Sequence, residues 1–570
     1  MSFSNLFRKK TLASILQQGG DGEHSGLNKV LTVKDLTFFG IAAILGAGSF
    51  SSLGSAVFSG GPGVVFLFII VAIACGFTAM CYSEFASRIP VSGSAYTYAY
   101  ASFGEVFAWL IGWALLMEYS IGNIYVAFSW SDYFTSLLDQ CGVHLPEFLS
   151  TSYQEAKHAT QGESFIAWNN APIIGGLKII FDLPALLINI GITFLVYKGV
   201  KESKNFSNVM VLIKMLVVLM VIVVGGYFIF SNDLTHNWTP VNTEGVKSFM
   251  PNGFKGVMMA VSGVFFAYIG FDAVSVLAEE SKNPQKDLPR GMIYSLVICT
   301  IVYILLALVL TGAADYKLFE GVGDPLAFIF EKAQLNSPVM HFLIAICAVV
   351  AMTSVMLVFQ MGQPRIWMSM SRDGLLPKKF EQIHPKYKTP GFSTILTGLV
   401  VGIPIFFTDK TFVLDFTSIG TLFAFILVCG GVMLIPRRQK EKGKFHLPYI
   451  NSKFVYPVLL IASLTIVHLN FPTYFSEIFD FSDSSKIAVN IPLIVFYSLA
   501  IIMAFIAFIK DLSLIPLLGL ISCSYLLTGM TVTNWTWFGC WLVIGFVVYM
   551  LYGFNNSKLN KSKLKATIED

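Results

Sequence analysis

Three ionisable residues and three glycines stand inside long apolar runs, where each needs a reason. Lys214 lies in Ser207-Asn-Val-Met-Val-Leu-Ile-Lys214-Met-Leu-Val-Val-Leu, Glu118 in Gly112-Trp-Ala-Leu-Leu-Met-Glu118-Tyr, and Asp272 ends Phe266-Ala-Tyr-Ile-Gly270-Phe-Asp272. A charge within a membrane span costs roughly 2.5–3.5 kcal/mol on insertion scales, so it is a functional candidate by default. Lys214 is about eight residues into its run, roughly 12 Å deep at the helical rise. A lysine taken out of water suits a proton carrier. The competing reading is a long stem whose ammonium reaches the interface or a helix C-terminus. Glu118 suits a proton site, a contact for a substrate amine, or a partner for a buried polar group. Asp272 suits the end of a pocket, or a helix cap.

The glycines mark broken helices. Gly46 and Gly48 flank one residue in Gly40-Ile-Ala-Ala-Ile-Leu-Gly46-Ala47-Gly48-Ser49-Phe50. Glycine costs about 1 kcal/mol per helical position relative to alanine. Unwinding there frees backbone N–H groups at the start of the next half-helix, and these bind anions such as a carboxylate. A small-residue packing face would read similarly. Gly270 interrupts a second run, and carbonyls freed at the end of a half-helix suit an ammonium group; the competing reading is a packed aromatic helix. Unpaired backbone is tolerated at membrane depth only where protein or a cavity compensates. The breaks fall in the first and sixth apolar segments. Paired interruptions at corresponding places in two halves point to an inverted-repeat transporter with a midplane site. A zwitterionic amino acid matches the two ends.

The elements that must carry these residues are legible in composition. The chain has 570 residues, 55% hydrophobic and only 13% charged, against roughly 25% charged in soluble proteins. A spanning helix needs about 20 apolar residues. Fourteen segments qualify: 36–58, 63–86, 104–136, 182–198, 206–230, 254–278, 291–313, 338–370, 391–408, 412–435, 454–471, 489–509, 512–530 and 533–553. Lys and Arg concentrate in alternate loops, among them Arg8/Lys9/Lys10, Lys282/Lys286/Arg290, Arg372/Lys378/Lys379 and Arg437/Arg438/Lys440. By the positive-inside rule both termini are cytoplasmic. The expected organisation is a cytoplasmic segment at 1–32, a transport core at 33–440, further transmembrane helices at 441–553 and a cytoplasmic tail at 554–570. The polar start lacks the short apolar core of a cleavable signal peptide. The expected location is the plasma (inner) membrane.

Other classes find little support. The net charge of +4 does not suggest nucleic acid as a partner. Eight cysteines form no CxxC or Cys/His pattern, so no metal site is expected. No HExxH, paired DxxD or P-loop appears, so no enzyme is expected. No ring-forming selectivity motif suggests a channel. An exchanger, a uniporter or a non-transporting amino acid sensor would use the same residues as a symporter.

Several strings together are specific. They are Gly46-Ala47-Gly48, Tyr82-Ser-Glu84-Phe-Ala-Ser-Arg88-Ile-Pro-Val-Ser-Gly93, Gly112-Trp113 with Glu118-Tyr119, Gly199-Val-Lys201-Glu-Ser203, Glu279-Glu280-Ser-Lys-Asn283-Pro284-Gln-Lys-Asp287-Leu-Pro289-Arg290-Gly291, and Ser371-Arg372-Asp373-Gly374-Leu-Leu-Pro377. Over roughly residues 30–440 the chain resembles the amino acid–polyamine–organocation (APC) superfamily of permeases, in particular its cationic amino acid transporter branch. The resemblance implies an all-α polytopic membrane protein with a LeuT-like 5+5 inverted repeat, plus four C-terminal helices. It implies a substrate carboxylate at amides around Gly46, Ala47, Gly48 and Ser49, and an ammonium at carbonyls of Phe266, Ala267 and Ile269. Phe266 and Phe271 are then candidates for a gate. It also implies that Lys214 stands where sodium-coupled relatives hold sodium, so the coupling ion is a proton and no other cofactor is expected. Neither the amino acid carried nor the presence of a small accessory membrane subunit follows from it. One departure is Ser49, where the family usually carries a large aliphatic residue; with Ser51 and Ser52 it predicts a more polar floor to the site.

Overall fold

Helix forms wherever the sequence stays apolar for long enough. The structure, a computed structural model, describes residues 6–10, 15, 31–46, 48–91, 94–159, 162–199, 203–242, 245–331, 335–387, 389–436, 444–479 and 484–560. Among them ten helices are long and apolar enough to cross a membrane, and Leu183–Lys198, Gly391–Ile405 and Leu514–Leu527 are shorter apolar helices. The protein is a polytopic helical membrane protein. Strand among the described residues is confined to Ile173–Ile174 paired with Leu177–Lys178.

The helices used below are numbered in chain order. The first apolar segment is split into α1 (Val33–Ile44) and α2 (Leu53–Gly60). Then come α3 (Val64–Arg88), α4 (Ser94–Ser102), α5 (Glu105–Gln140), α6 (Leu183–Lys198) and α7 (Ser203–Ser231). The sixth segment contains α8 (Gly253–Met259), α9 (Val261–Tyr268) and a tighter turn over Asp272–Glu280. It is followed by α10 (Pro284–Ala313), α11 (Pro338–Arg372), α12 (Gly391–Ile405) and α13 (Lys410–Leu434). The last four are α14 (Ser452–Asn470), α15 (Ser484–Ile509), α16 (Leu514–Leu527) and α17 (Val532–Val548).

Local chemistry sets the ends. Thr32 and Asp35 form a capping box at the start of α1, with Thr32 N donating to Asp35 Oδ2 at 2.9 Å, so Asp35 is a helix-start charge. Asp182 and Asp409 accept the amides of Ala185 and Phe412 at 2.9 and 2.8 Å, capping α6 and α13. Arg88 Nε donates to Glu84 Oε1 at 2.7 Å, one turn apart at the end of α3.

The packing of the first ten segments has a pattern. The first segment packs on the fifth and seventh, and the sixth packs on the tenth and second. The third packs on the fourth, ninth and tenth, and the eighth packs on the ninth, fourth and fifth. First and sixth, second and seventh, third and eighth, and fourth and ninth are also in contact. Outside this body, α16 packs on α13 and α3, α17 packs on α5 and α13, and α14 packs on α15 and α16.

Candidate functional site

The first break is built from a helix end with nowhere to go. Leu45 leaves helical geometry (φ −83°, ψ 82°). The chain then widens into a π turn over Gly48–Ser52 before α2, a distortion common at functional sites. The Gly46 amide donates to Ile44 O at 3.0 Å, and the amides of Ser49 and Phe50 both donate to Gly46 O at 3.0 Å. Ala42 O and Leu45 O therefore lose the amides four residues on that a continuous helix would supply. Lys214 supplies the replacement. Its Nζ donates to Ala42 O at 3.0 Å, Leu45 O at 2.9 Å and Ser354 Oγ at 3.3 Å. An ammonium has three donors, and all three are used. Tyr303 adds a fourth stitch, donating to Ile44 O at 2.7 Å. The cation thus sits where the dipole of α1 concentrates negative charge.

Of the expected carboxylate-binding groups, Ala47 lies outside the described residues, and the Ser49 amide is committed to Gly46 O. Of the Gly46, Gly48 and Ser49 amides, that of Gly48 is the one with no backbone acceptor among the described residues outside its own helical turn. The hydroxyls expected to form a polar floor turn to the protein's own backbone at Ser49 and Ser52. Ser49 Oγ donates to Gly46 O at 2.9 Å, and Ser52 Oγ to Gly48 O and Gly263 O at 2.9 and 3.0 Å. A broken helix exposes its own carbonyls, and adjacent hydroxyls are the nearest donors.

The second break meets the first directly. Ile269 is extended (φ −61°, ψ 136°) after α9, and Gly270 has φ +119°, which an L side chain rarely adopts. A Cβ at Gly270 would also stand 2.8 Å from Ala43 Cβ in α1. A Cβ at Gly48 would collide with the backbone of Ala267. The glycines therefore let the breaks touch, and bring Gly48 beside Ala267. At Gly46 a Cβ would run into Val355 of α11.

The aromatic candidates separate. Phe266 packs edge-on to Tyr125 with centroids 4.6 Å apart. Phe271 packs on Phe425 and Tyr82 at 5.1 and 6.1 Å, in the interior between α3 and α13. Of these two, Phe266 is the one whose ring partner stands beside the first break, because Tyr125 OH also reaches Ser51 Oγ at 3.5 Å. Tyr133 OH donates to Phe50 O at 2.6 Å. Tyr125, Tyr133, Tyr303 and Ser354 are site residues that sequence reading passes over. The one available signal was the seven-residue step from Glu118 to Tyr125, two helical turns along one face. Near the α13 end of this region Lys410 pairs with Asp132 and stands over the Tyr125 ring at 5.7 Å.

Both buried acids are in the interior. Asp272 is 2% and Glu118 4% exposed. Glu118 Oε2 has no hydrogen-bond partner among the described residues. A void of about 10 Å³ lies among Phe39, Tyr119, Leu277, Val358 and Arg365. Among the described residues, no group of three or more His, Cys, Asp and Glu side chains is arranged to hold a metal.

The chain matches the profile of a family described as "Amino acid permease" over residues 31–497. It is similar to the branched-chain amino acid permease BcaP of Bacillus subtilis, 36% identical over 557 residues, covering 98% of this chain and 99% of the relative. It is also similar to the methylthioribose transporter of Bacillus subtilis, 34% identical over 98% of this chain and 100% of the relative. A third relative is the vacuolar cationic amino acid transporter 4 of Arabidopsis thaliana, 33% identical over 76% of this chain and 67% of the relative. These names are of carriers, not enzymes, and their printed substrates differ in kind. Two touching helix breaks, a lysine on the first of them and similarity along nearly the whole chain lead to one assignment: the protein belongs to the amino acid permease family of the APC superfamily.

Proposed function

We propose that the protein is a secondary active transporter of amino acids, working by proton-coupled symport and alternating access. The observation that carries this reading is the pair of breaks pressed together at Gly48 and Ala267, one edge of which is capped by Lys214. The substrate carboxylate lies at the Gly46–Ser49 break, with the Gly48 amide as its main donor. The ammonium lies at the carbonyls of Phe266, Ala267 and Ile269. Tyr125 and Phe266 close over it. Lys214 is the coupling residue: protonated it holds the end of α1, and on losing its proton it lets the two half-helices shift. Glu118 and Asp272 are the acids available to a second proton or to a cationic side chain.

A LeuT-like 5+5 inverted repeat supports alternating access. If each of the first five segments is relabelled as the one five positions later, and the reverse, the contacts described above map onto themselves. Such a repeat gives two nearly equivalent arrangements, one open to each side. In this reading fourteen segments span the plasma membrane. Both termini are cytoplasmic, in line with the Lys and Arg distribution. The four C-terminal helices are an addition to the core, and their exposed flank leaves room for a small accessory membrane subunit.

The test is uptake of labelled neutral and cationic amino acids into proteoliposomes, with and without an inward proton gradient. Accumulation of one class only when the lumen is alkaline supports the symporter and names the substrate. Binding without accumulation favours an exchanger or sensor and removes Lys214 from coupling.

A further inference from the structure

A cavity of about 530 Å³ lies away from the breaks, among α13, α15, α16 and α17. Ligand pockets commonly measure about 300–1,000 Å³. Its origin is in the packing. Helix α15 packs mainly on α14 and α16, and α17 on α13 and α5. Between them α16, of 14 residues, ends at Leu527, so the space between α15 and α17 is left open. Ile491 and Val495 of α15 form an exposed rim, whereas Ser524 and Leu527 of α16 form a buried floor.

The wall offers nothing to a polar ligand. Among the described residues that line it, none is ionisable. Ser524 Oγ donates to Leu520 O at 2.7 Å, Thr528 Oγ1 to Tyr525 O at 2.7 Å and Thr536 Oγ1 to Val532 O at 2.9 Å. A hydroxyl has one proton, and each of these spends it on its own helix. Trp535 Nε1 is itself buried, so the indole presents carbon to the cavity. A phosphate or carboxylate would find neither charge nor donor there. An apolar chain needs neither.

The depth narrows the choice further. The cavity begins at a membrane boundary: Ile491 is the second residue of the span Asn490–Ile509, and Val532 is the first of Val532–Asn556. From Ile491 to Leu499 the wall runs about 12 Å at helical rise, against roughly 15 Å for half the apolar thickness of a bilayer. A helix of a partner protein would need a groove along the whole span. A lipid tail lowered from its own leaflet needs only this half. An unfilled space of this size would cost its lining the contacts that dispersion supplies. Ile426 stands in the inner wall, and its neighbour Phe425 packs on Phe271 and Phe265 at 5.1 and 5.8 Å. The cavity therefore backs the helix that packs against the second break.

We propose that this cavity is a binding site for one acyl chain of a membrane glycerolipid, which enters beside Ile491 and Val532, leaves its head group at the boundary and supports α13 from behind. The site rests on the membrane class of the chain and not on the carrier reading. Lipid tails are as apolar as the wall, so preference comes from filling and shape, and its size is modest.

The test uses the full chain in nanodiscs of phosphatidylglycerol and phosphatidylethanolamine. They are doped with a phosphatidylglycerol that carries a diazirine midway along one acyl chain, and photolabelled residues are mapped by mass spectrometry. Helix α14, whose span is only 11% buried, reports bulk lipid. Label on residues 491–499 and 524–536 is expected to exceed that on α14 by about fivefold. It is also expected to saturate as the photolipid is raised, while label on α14 keeps rising in proportion. Ser524→Phe and Ile426→Trp, which fill the space, are expected to return the cavity label to the α14 level. Ser524→Ala, which leaves the space open, is expected to match the parent. Cavity label in the parent that equals that on α14 and rises with it would mean bulk lipid only and overturn the site. Label that persists in both filled variants, at unchanged thermal midpoint, would also overturn it. So would a parent closed to the photolipid in which Val495, replaced by p-benzoylphenylalanine, joins a second protein chain, since the occupant would then be protein. Should neither filled variant fold, saturation in the parent decides.

Discussion

Lys214 and Glu118 are both ionisable residues buried in the middle of apolar helices, yet their surroundings are opposite. Lys214 spends three donors on two orphaned carbonyls and a hydroxyl. Glu118 keeps one oxygen without a partner among the described residues. A fully used group is part of the architecture, and removing it leaves unpaired atoms behind. A partly used group keeps capacity for something that arrives. The difference teaches that insertion cost alone does not sort buried charges by role; the count of satisfied donors and acceptors does.

The largest effect is expected from Lys214→Ala. It strips Ala42 O and Leu45 O of their donor, about 1–3 kcal/mol for each buried group left unsatisfied, and in the proposed symport it removes the coupling cation. Uphill accumulation in proteoliposomes should vanish and the thermal midpoint should fall, while some binding remains. Unchanged accumulation would break the comparison by making Lys214 a structural cap alone. Next is Gly48→Leu on the other side of the same hub. Its side chain would enter the backbone of Ala267, and overpacking of this kind costs about 1–3 kcal/mol. Equilibrium binding should weaken by at least about tenfold, and normal affinity would refute the site.

Glu118→Gln tests the other half. The amide keeps the shape, so the thermal midpoint should stay close to the parent, while the pH dependence or substrate range of uptake changes. A large loss of stability with unaltered transport would make Glu118 the architectural residue of the two. Ser354→Ala removes one of three Lys214 acceptors, a loss of about 1 kcal/mol. Uptake should decline by less than tenfold, well short of Lys214→Ala.

The smallest effect comes from a control carboxyl. Asp182, just before α6, accepts from Ser131 Oγ at 2.7 Å and Ala185 N at 2.9 Å. Asp182→Ala should lower the thermal midpoint by the loss of a helix cap, about 1 kcal/mol, without altering coupling. A shift in coupling would mean that satisfied acids also serve transport.

Membrane class, helix positions and both glycine breaks were legible in the sequence, because the bilayer imposes a length and an apolarity that local composition must meet. The family strings were legible for the same reason that Gly46, Gly48 and Gly270 were: backbone that must unwind or approach closely leaves a mark in residue type. What Lys214 bonds, where Ser49 turns its hydroxyl and which of Phe266 and Phe271 stands beside the site were decided only by tertiary structure. Lys214 reaches Leu45 across 169 positions of chain, and Tyr125 meets Phe266 from another helix. A single sequence read locally carries no term for such distant pairs. The serines illustrate the limit: their polarity was plain, but whether it faced a ligand or the protein's own carbonyls depended on how far the helix had opened beneath them.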